Sequence, residues 1–229
     1  SAHDVEFAFE PQYWLNGLTG EERGDDYFQF LAHLPIGYRT EKPANNRNSV
    51  FGIGSLYANV EYFLRLVDEI DRTFWLDNGL SVGFPTSTNR DGVRLGGNSY
   101  SLTYFQENFI KLNDWIFSIS PVGVTWTFKD DKTNITPGLT INIMNSAFGY
   151  QITDKIALGL TFIYEIGSIT GSNDGFGNSL PKTHRFYTGP ASSFSLGKNT
   201  SLQATIIVDA YTKNIERGQG LAVAFWHMF

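Results

Sequence analysis

Eleven stretches of this chain set large apolar residues against polar or small ones at every second position. Each runs for roughly ten residues or more, about twice the mean strand length in globular proteins. Period-two alternation produces strands with one apolar face and one polar face. The last stretch, residues 221–229, shows the pattern plainly: Leu221, Val223, Phe225 and Phe229 form one row, with His227 inside it as a polar aromatic. Ala222, Ala224, Trp226 and Met228 point the other way. The other stretches fall near 5–15, 27–39, 51–66, 73–84, 99–107, 114–128, 136–148, 156–166, 185–196 and 202–211. Pro11 breaks the first of them and cannot donate to a ladder.

Little sequence is left over for helices, and no run approaches the eighteen apolar residues of a spanning helix, so a helical membrane protein is excluded. Strands of about ten residues do suffice to cross a bilayer at a tilt. Connections alternate in length. Turns at 67–71, 112–113, 151–155 and 198–199 are short, whereas polar loops at 40–49, 87–98, 129–135, 168–184 and 212–219 are long. Short turns at one end and long loops at the other are the asymmetry of a transmembrane β-barrel. An aromatic content of 15% suits a lipid-facing band with interfacial girdles.

The expected fold is therefore all-β: a transmembrane, antiparallel, up-and-down β-barrel filling residues 1–229 as one outer-membrane domain. Residues 1–20 are either its first strand or a segment lying in the lumen. Eleven strands is an odd count, whereas single-chain bacterial barrels have even ones. A net charge of −6 and the lack of a basic stripe argue against nucleic acid. Cysteine is absent, which removes disulfides and thiolate metal sites.

With the apolar rows facing lipid, the opposite phase lines the interior. There stand Glu6, Glu10, His33, Arg39, Glu61, Arg65, Asp77, Glu107, Glu165, Arg185 and Asp209, together with Trp14, Tyr57, Trp75 and Tyr211. Carboxylates outnumber fixed cations, so these residues predict an electronegative channel favouring cations and neutral solutes. The competing reading is a sealed lumen filled by salt-bridged side chains, with the loops doing structural or adhesive work. A third is a barrel hydrolase. The loop at 171–184 carries Asp174, Ser179 and His184, but all three share one Gly-rich loop and nothing orients them as a triad. His3, His33, His184 and His227 are scattered without ligand spacing, so neither metal nor cofactor is expected.

The order of four motifs carries a family resemblance: Gly52-Ile53-Gly54-Ser55-Leu56 opening a strand, Gly83-Phe84-Pro85-Thr86 closing the next, Gly189-Pro190 within a late strand, and residues 214–220 leading to the last. Together they resemble the outer-membrane channel family of the meta pathway of phenol degradation, from about Phe51 onwards. Ser55 stands where that family has an aspartate, and Ser87 where it has a glycine. The resemblance implies a monomeric barrel of about twelve strands in the cell outer membrane, taking up small molecules, often aromatic. It would contact outer-membrane lipid, lipopolysaccharide and solute. It also implies that this chain lacks one N-terminal strand or replaces it with residues 1–20.

Overall fold

A computed structural model describes residues 2–9, 12–16, 26–41, 48–69, 71–90, 93–197, 200–215 and 217–227. Its strands are β1 (Ala2–Phe9), β2 (Gln12–Asn16), β3 (Asp26–Glu41), β4 (Asn48–Ile53), β5 (Leu56–Asp68), β6 (Arg72–Phe84), β7 (Asn89–Arg90) and β8 (Val93–Arg94). They continue as β9 (Ser101–Leu112), β10 (Trp115–Thr127), β11 (Gly138–Thr153), β12 (Ile156–Gly167), β13 (Thr183–Gly197), β14 (Thr200–Lys213) and β15 (Gln219–His227).

One sheet closes on itself. Neighbouring strands along the wall pair antiparallel from β3 through β15, and the small β7–β8 hairpin forms a separate sheet. β1 and β2 lie end to end along one edge of β3, and β4 and β5 lie end to end along its other edge. The wall thus consists of eleven strand paths, and the odd count is met by a parallel seam in which Val5 and Glu6 of β1 register with Leu221 and Ala222 of β15. Of the two readings of residues 1–20, pairing of β1 and β2 with β3 is that of a wall strand. Glu10 and Pro11, at the break, lie outside the described residues.

Burial in this barrel runs opposite to that of a soluble protein. Among the described residues the only buried large hydrophobic is Val50, at 2% exposure, while the buried polar set includes Gln29, Ser55, Glu61, Asp77, Ser81, Ser120, Ser146 and Asp209. Large apolar residues stand exposed along the outward phase: Val60 on β5, Leu80 and Val82 on β6, Leu102 on β9, Leu158 and Leu160 on β12, Ile206 and Val208 on β14. Water cannot be the solvent of such an exterior, because this much contiguous apolar surface far exceeds what a soluble monomer leaves exposed. Lipid can, because a closed barrel pairs its strands all the way round and leaves no open edge.

Bulges adjust the strict alternation. Pro121 interrupts the register of β10 against β9 between Ile119 and Gly123, where its missing N–H is tolerated. Met144 takes a positive φ of 55° in β11, and there the pairing with β12 jumps from Ile143 to Ser146. Asn142 and Ala147, of opposite parity in sequence, consequently share the inner face. The short turns are tight: Asn113, at φ 54°, follows β9 directly and leads through Asp114 into β10. The turn expected over 151–155 shrinks to Asp154 and Lys155, because β11 continues to Thr153. Lys198 and Asn199 lie outside the described residues.

Candidate functional site

The inner face is organised by one row of cross-strand partners. Gln29 registers with Glu61, Glu61 with Gly79, Gly79 with Phe105, Phe105 with Gly123, Gly123 with Asn142, Asn142 with Glu165, and Glu165 with Arg185. Partners directly opposite share a face, so this row circles most of the lumen. The glycines make room. A side chain at Gly79 would collide with the ring of Phe105, which lies across it.

Two charged groups stand on and beside the row, with different characters. On β5, β6 and β9, Glu61, Asp77 and Glu107 form an acidic trio: Asp77 is the direct partner of Glu107, and Glu61 sits diagonally across from it. Glu61 accepts a hydrogen bond from Asn59 Nδ2 at 3.2 Å, and Glu107 accepts one from the Ser118 hydroxyl. Asp77, at 8% exposure, has one shielded oxygen, Oδ1, that meets no hydrogen-bond donor among the described residues. Arg65 is occupied elsewhere, 2.7 Å from Asp68 and with its guanidinium 5.6 Å from the centre of the Trp75 ring. Across the barrel, Arg185 Nε donates to Asp209 Oδ1 at 2.6 Å, while Gly218 N–H donates to the other Asp209 oxygen and ties the last long loop to the wall. Arg185 also lies over Tyr187, 5.0 Å from its ring centre, and opposite Glu165.

The other expected interior residues are placed as follows. His33 registers with Tyr57, ring centres 6.0 Å apart. Glu6 pairs through its backbone with Gly37, and Arg39 with Asp4 and Val50. Glu10 lies outside the described residues. Tyr211 is corrected: it was expected to point inwards, but a bulge between Phe186 and Tyr187 makes it the partner of outward Phe186 and leaves it exposed. Asp209 then pairs with inward Tyr187.

Aromatic rings gather on one side of the lumen toward the short turns. Tyr27 stacks on Phe63 at 4.8 Å, and Trp75 packs against Phe109 at 5.3 Å. The facing strands carry small residues, and between them opens a cavity of about 450 Å³ lined by Phe109, Ser118, Ala147, Gly159, Ala191 and Thr205 among others. A second cavity, of about 500 Å³, opens toward the long loops, where Tyr57, Ser101, Thr103, Thr125 and Thr127 face one another.

A sequence profile of the family described by the words "MetA-pathway of phenol degradation" matches residues 7–225, nearly the whole chain. The chain belongs to this family. No curated protein sequence matches significantly. Among solved structures, an outer membrane channel from Pseudomonas putida F1 superposes with a TM-score of 0.75 at 14% identity, covering 91% of this chain and 79% of that one. At that identity the likeness is one of fold.

In this family member the loop at 171–184 is braced by its own hydrogen bonds and by the wall. His184 Nδ1 bonds the Tyr164 hydroxyl at 2.8 Å, on the wall. Asp174 accepts from the backbone N–H groups of Phe176 and Asn178 and from the Asn178 side chain, forming a closed turn. Those bonds, the Asn178 side chain foremost, hold the Asp174 carboxyl below its ordinary pKa. Sequence reading missed the hydroxyl-lined cavity and the ring pairs. Their signal was present, as Ser101, Thr103, Thr125 and Thr127 occupy the polar phase of two strands, but only registry shows that they converge.

Proposed function

We propose that this protein is a passive channel of the bacterial outer membrane that admits small neutral and cationic solutes, aromatic compounds among them. The observation that carries this reading is the pairing of an apolar exterior with a polar interior that holds cavities toward both ends. In the outer membrane the apolar rows meet lipid, the long loops face outward to lipopolysaccharide, and the short turns face the periplasm. The wall closes within one chain, which is what a monomeric barrel requires.

Selectivity follows from the charges. Arg185 neutralises Asp209, whereas Asp77 and Glu107 face one another directly across β6 and β9, and on that pair rests our reading of a negative field in the described lumen. Cations and neutral solutes pass that field, and anions are repelled. The rings of Tyr27, Phe63, Trp75 and Phe109 give an aromatic solute a face to slide along. The family description, with its reference to phenol degradation, agrees with such a solute.

Flux into liposomes tests this reading. Vesicles containing the purified barrel should take up phenol and benzylamine faster than benzoate at equal gradients, relative to protein-free vesicles. Equal uptake of benzoate and benzylamine would overturn the charge argument, and protein-independent uptake of all three would overturn the channel.

A further inference from the structure

The cavity of about 500 Å³ at the long-loop end differs chemically from the rest of the lumen. Hydroxyl-bearing residues are numerous in its wall: Ser55, Ser99, Ser101, Thr103, Thr125 and Thr127 all line it. Each hydroxyl is both donor and acceptor, which suits a ligand whose own groups are both. Thr103 and Thr125 hydroxyls already bond one another at 2.9 Å, fixing a pair of oxygens at the centre of the strand face. Asn98 adds a shielded amide nitrogen with no hydrogen-bond acceptor among the described residues.

Charge is almost missing from this wall. Among the described residues no Lys, Arg or His lines it, and their single carboxylate, Asp130, has one oxygen held by the backbone N–H groups of Lys132 and Thr133 at 2.8 and 3.2 Å. An anionic ligand would therefore find no counter-charge and would face Asp130. Burying an uncompensated charge is costly, whereas neutral hydroxyls lose little on exchanging water for a dense set of partners. Among the described lining residues Tyr57 supplies the one aromatic ring, and Ile135 and Pro137 supply apolar edges. Gly83 keeps the floor open, because a side chain there would meet the Ser101 hydroxyl and come within 2.9 Å of the Tyr57 ring. The volume falls inside the range of about 300–1,000 Å³ typical of small-ligand sites.

We propose that this cavity is a binding site for a small neutral polyhydroxylated solute of monosaccharide or cyclitol size, held by the Thr103 and Thr125 hydroxyls, the Asn98 amide and the face of Tyr57. Hydroxyl-dense ligands need many paired oxygens and some C–H stacking surface, and this wall offers both. The site deepens the channel reading as an outer recognition station, yet its occupancy does not depend on conduction.

Saturation-transfer NMR and calorimetry on the barrel in lipid nanodiscs test it with myo-inositol and glucose as probes, and with glucose 6-phosphate and catechol as contrasts. The expected result is saturable binding of inositol or glucose, with the phosphate ester at least about tenfold weaker. Thr103→Val with Thr125→Val, isosteric but without the hydroxyls, should weaken binding roughly tenfold or more, as two hydrogen bonds are lost. Gly83→Ala should do the same by displacing Tyr57 and Ser101. Ser193→Ala, in the other cavity, should leave binding unchanged, and heat-modifiability on gels confirms that each variant is folded. Absence of polyol binding by the folded wild type would overturn the proposal, as would unchanged binding in the Thr103/Thr125 variant or saturable binding of catechol alone. A barrel that binds inositol but carries no current would overturn the channel reading and leave the site standing.

Discussion

The Arg185 guanidinium and the Asp209 carboxylate meet at 2.6 Å inside the barrel, with the Asp209 side chain wholly shielded from solvent and a third of the Arg185 side chain still exposed. Asp209 also accepts from the Gly218 N–H, so the same carboxylate braces the last long loop.

Removing Arg185 alone should therefore destabilise the barrel more than removing both partners. Arg185→Met strands a buried carboxylate and is expected to cost about 1–3 kcal/mol, below the usual range for a buried pair because the guanidinium is partly hydrated. Arg185→Met with Asp209→Leu should recover most of that loss. Urea unfolding in lipid vesicles measures it. A double variant no more stable than the single one would contradict the pairing argument.

Asp77→Asn should stabilise the fold while weakening its selectivity. Like charges directly across a strand pair destabilise it, and Asp77 faces Glu107 with Glu61 on the diagonal. Neutralising it relieves that repulsion. Unfolding midpoints should rise as cation preference falls, and a variant that loses stability instead would show that Asp77 holds a structural partner.

The membrane face is tested by depth. Leu160 and Ile206 are 44% and 48% exposed on the outward phase of β12 and β14, and arginine at either should cost about 2–4 kcal/mol near the midplane. Hydrophobic photolabels in liposomes should mark these two positions and spare Gln203 and Thr205. The reverse pattern would place the register one residue away.

The eleven strands were legible because period two survives wherever one face meets lipid, as Leu158, Leu160, Ile206 and Val208 illustrate. What alternation cannot show is where parity changes. Met144 and the bulge before Tyr187 shift the phase in mid-strand, which is why Tyr211 was expected inside and stands outside. Pairings across the lumen wall were hidden for another reason: Arg185 and Asp209 are 24 residues apart, and only strand registry brings them together.

The Asp174 turn gives a pH signature at the rim. Its carboxyl is held below the usual range by hydrogen bonds from Asn178 and from the Phe176 backbone, so the turn is supported above the unfolded pKa of about 3.9 and loosens only as pH falls through the lower folded value. Amide chemical shifts of Phe176 and Asn178 should titrate with a midpoint below about 3.9. A midpoint at or above that value, or no change on Asp174→Asn, would contradict the turn's assigned role.

Single-channel recording in planar bilayers across a salt gradient tests the central claim most directly. The account predicts discrete current steps whose reversal potential reports cation preference, strongest at 0.1 M salt where the Debye length is about 10 Å and reduced at 1 M where it is about 3 Å. A folded barrel that carries no current at any voltage, or one that prefers anions at low salt, would contradict it.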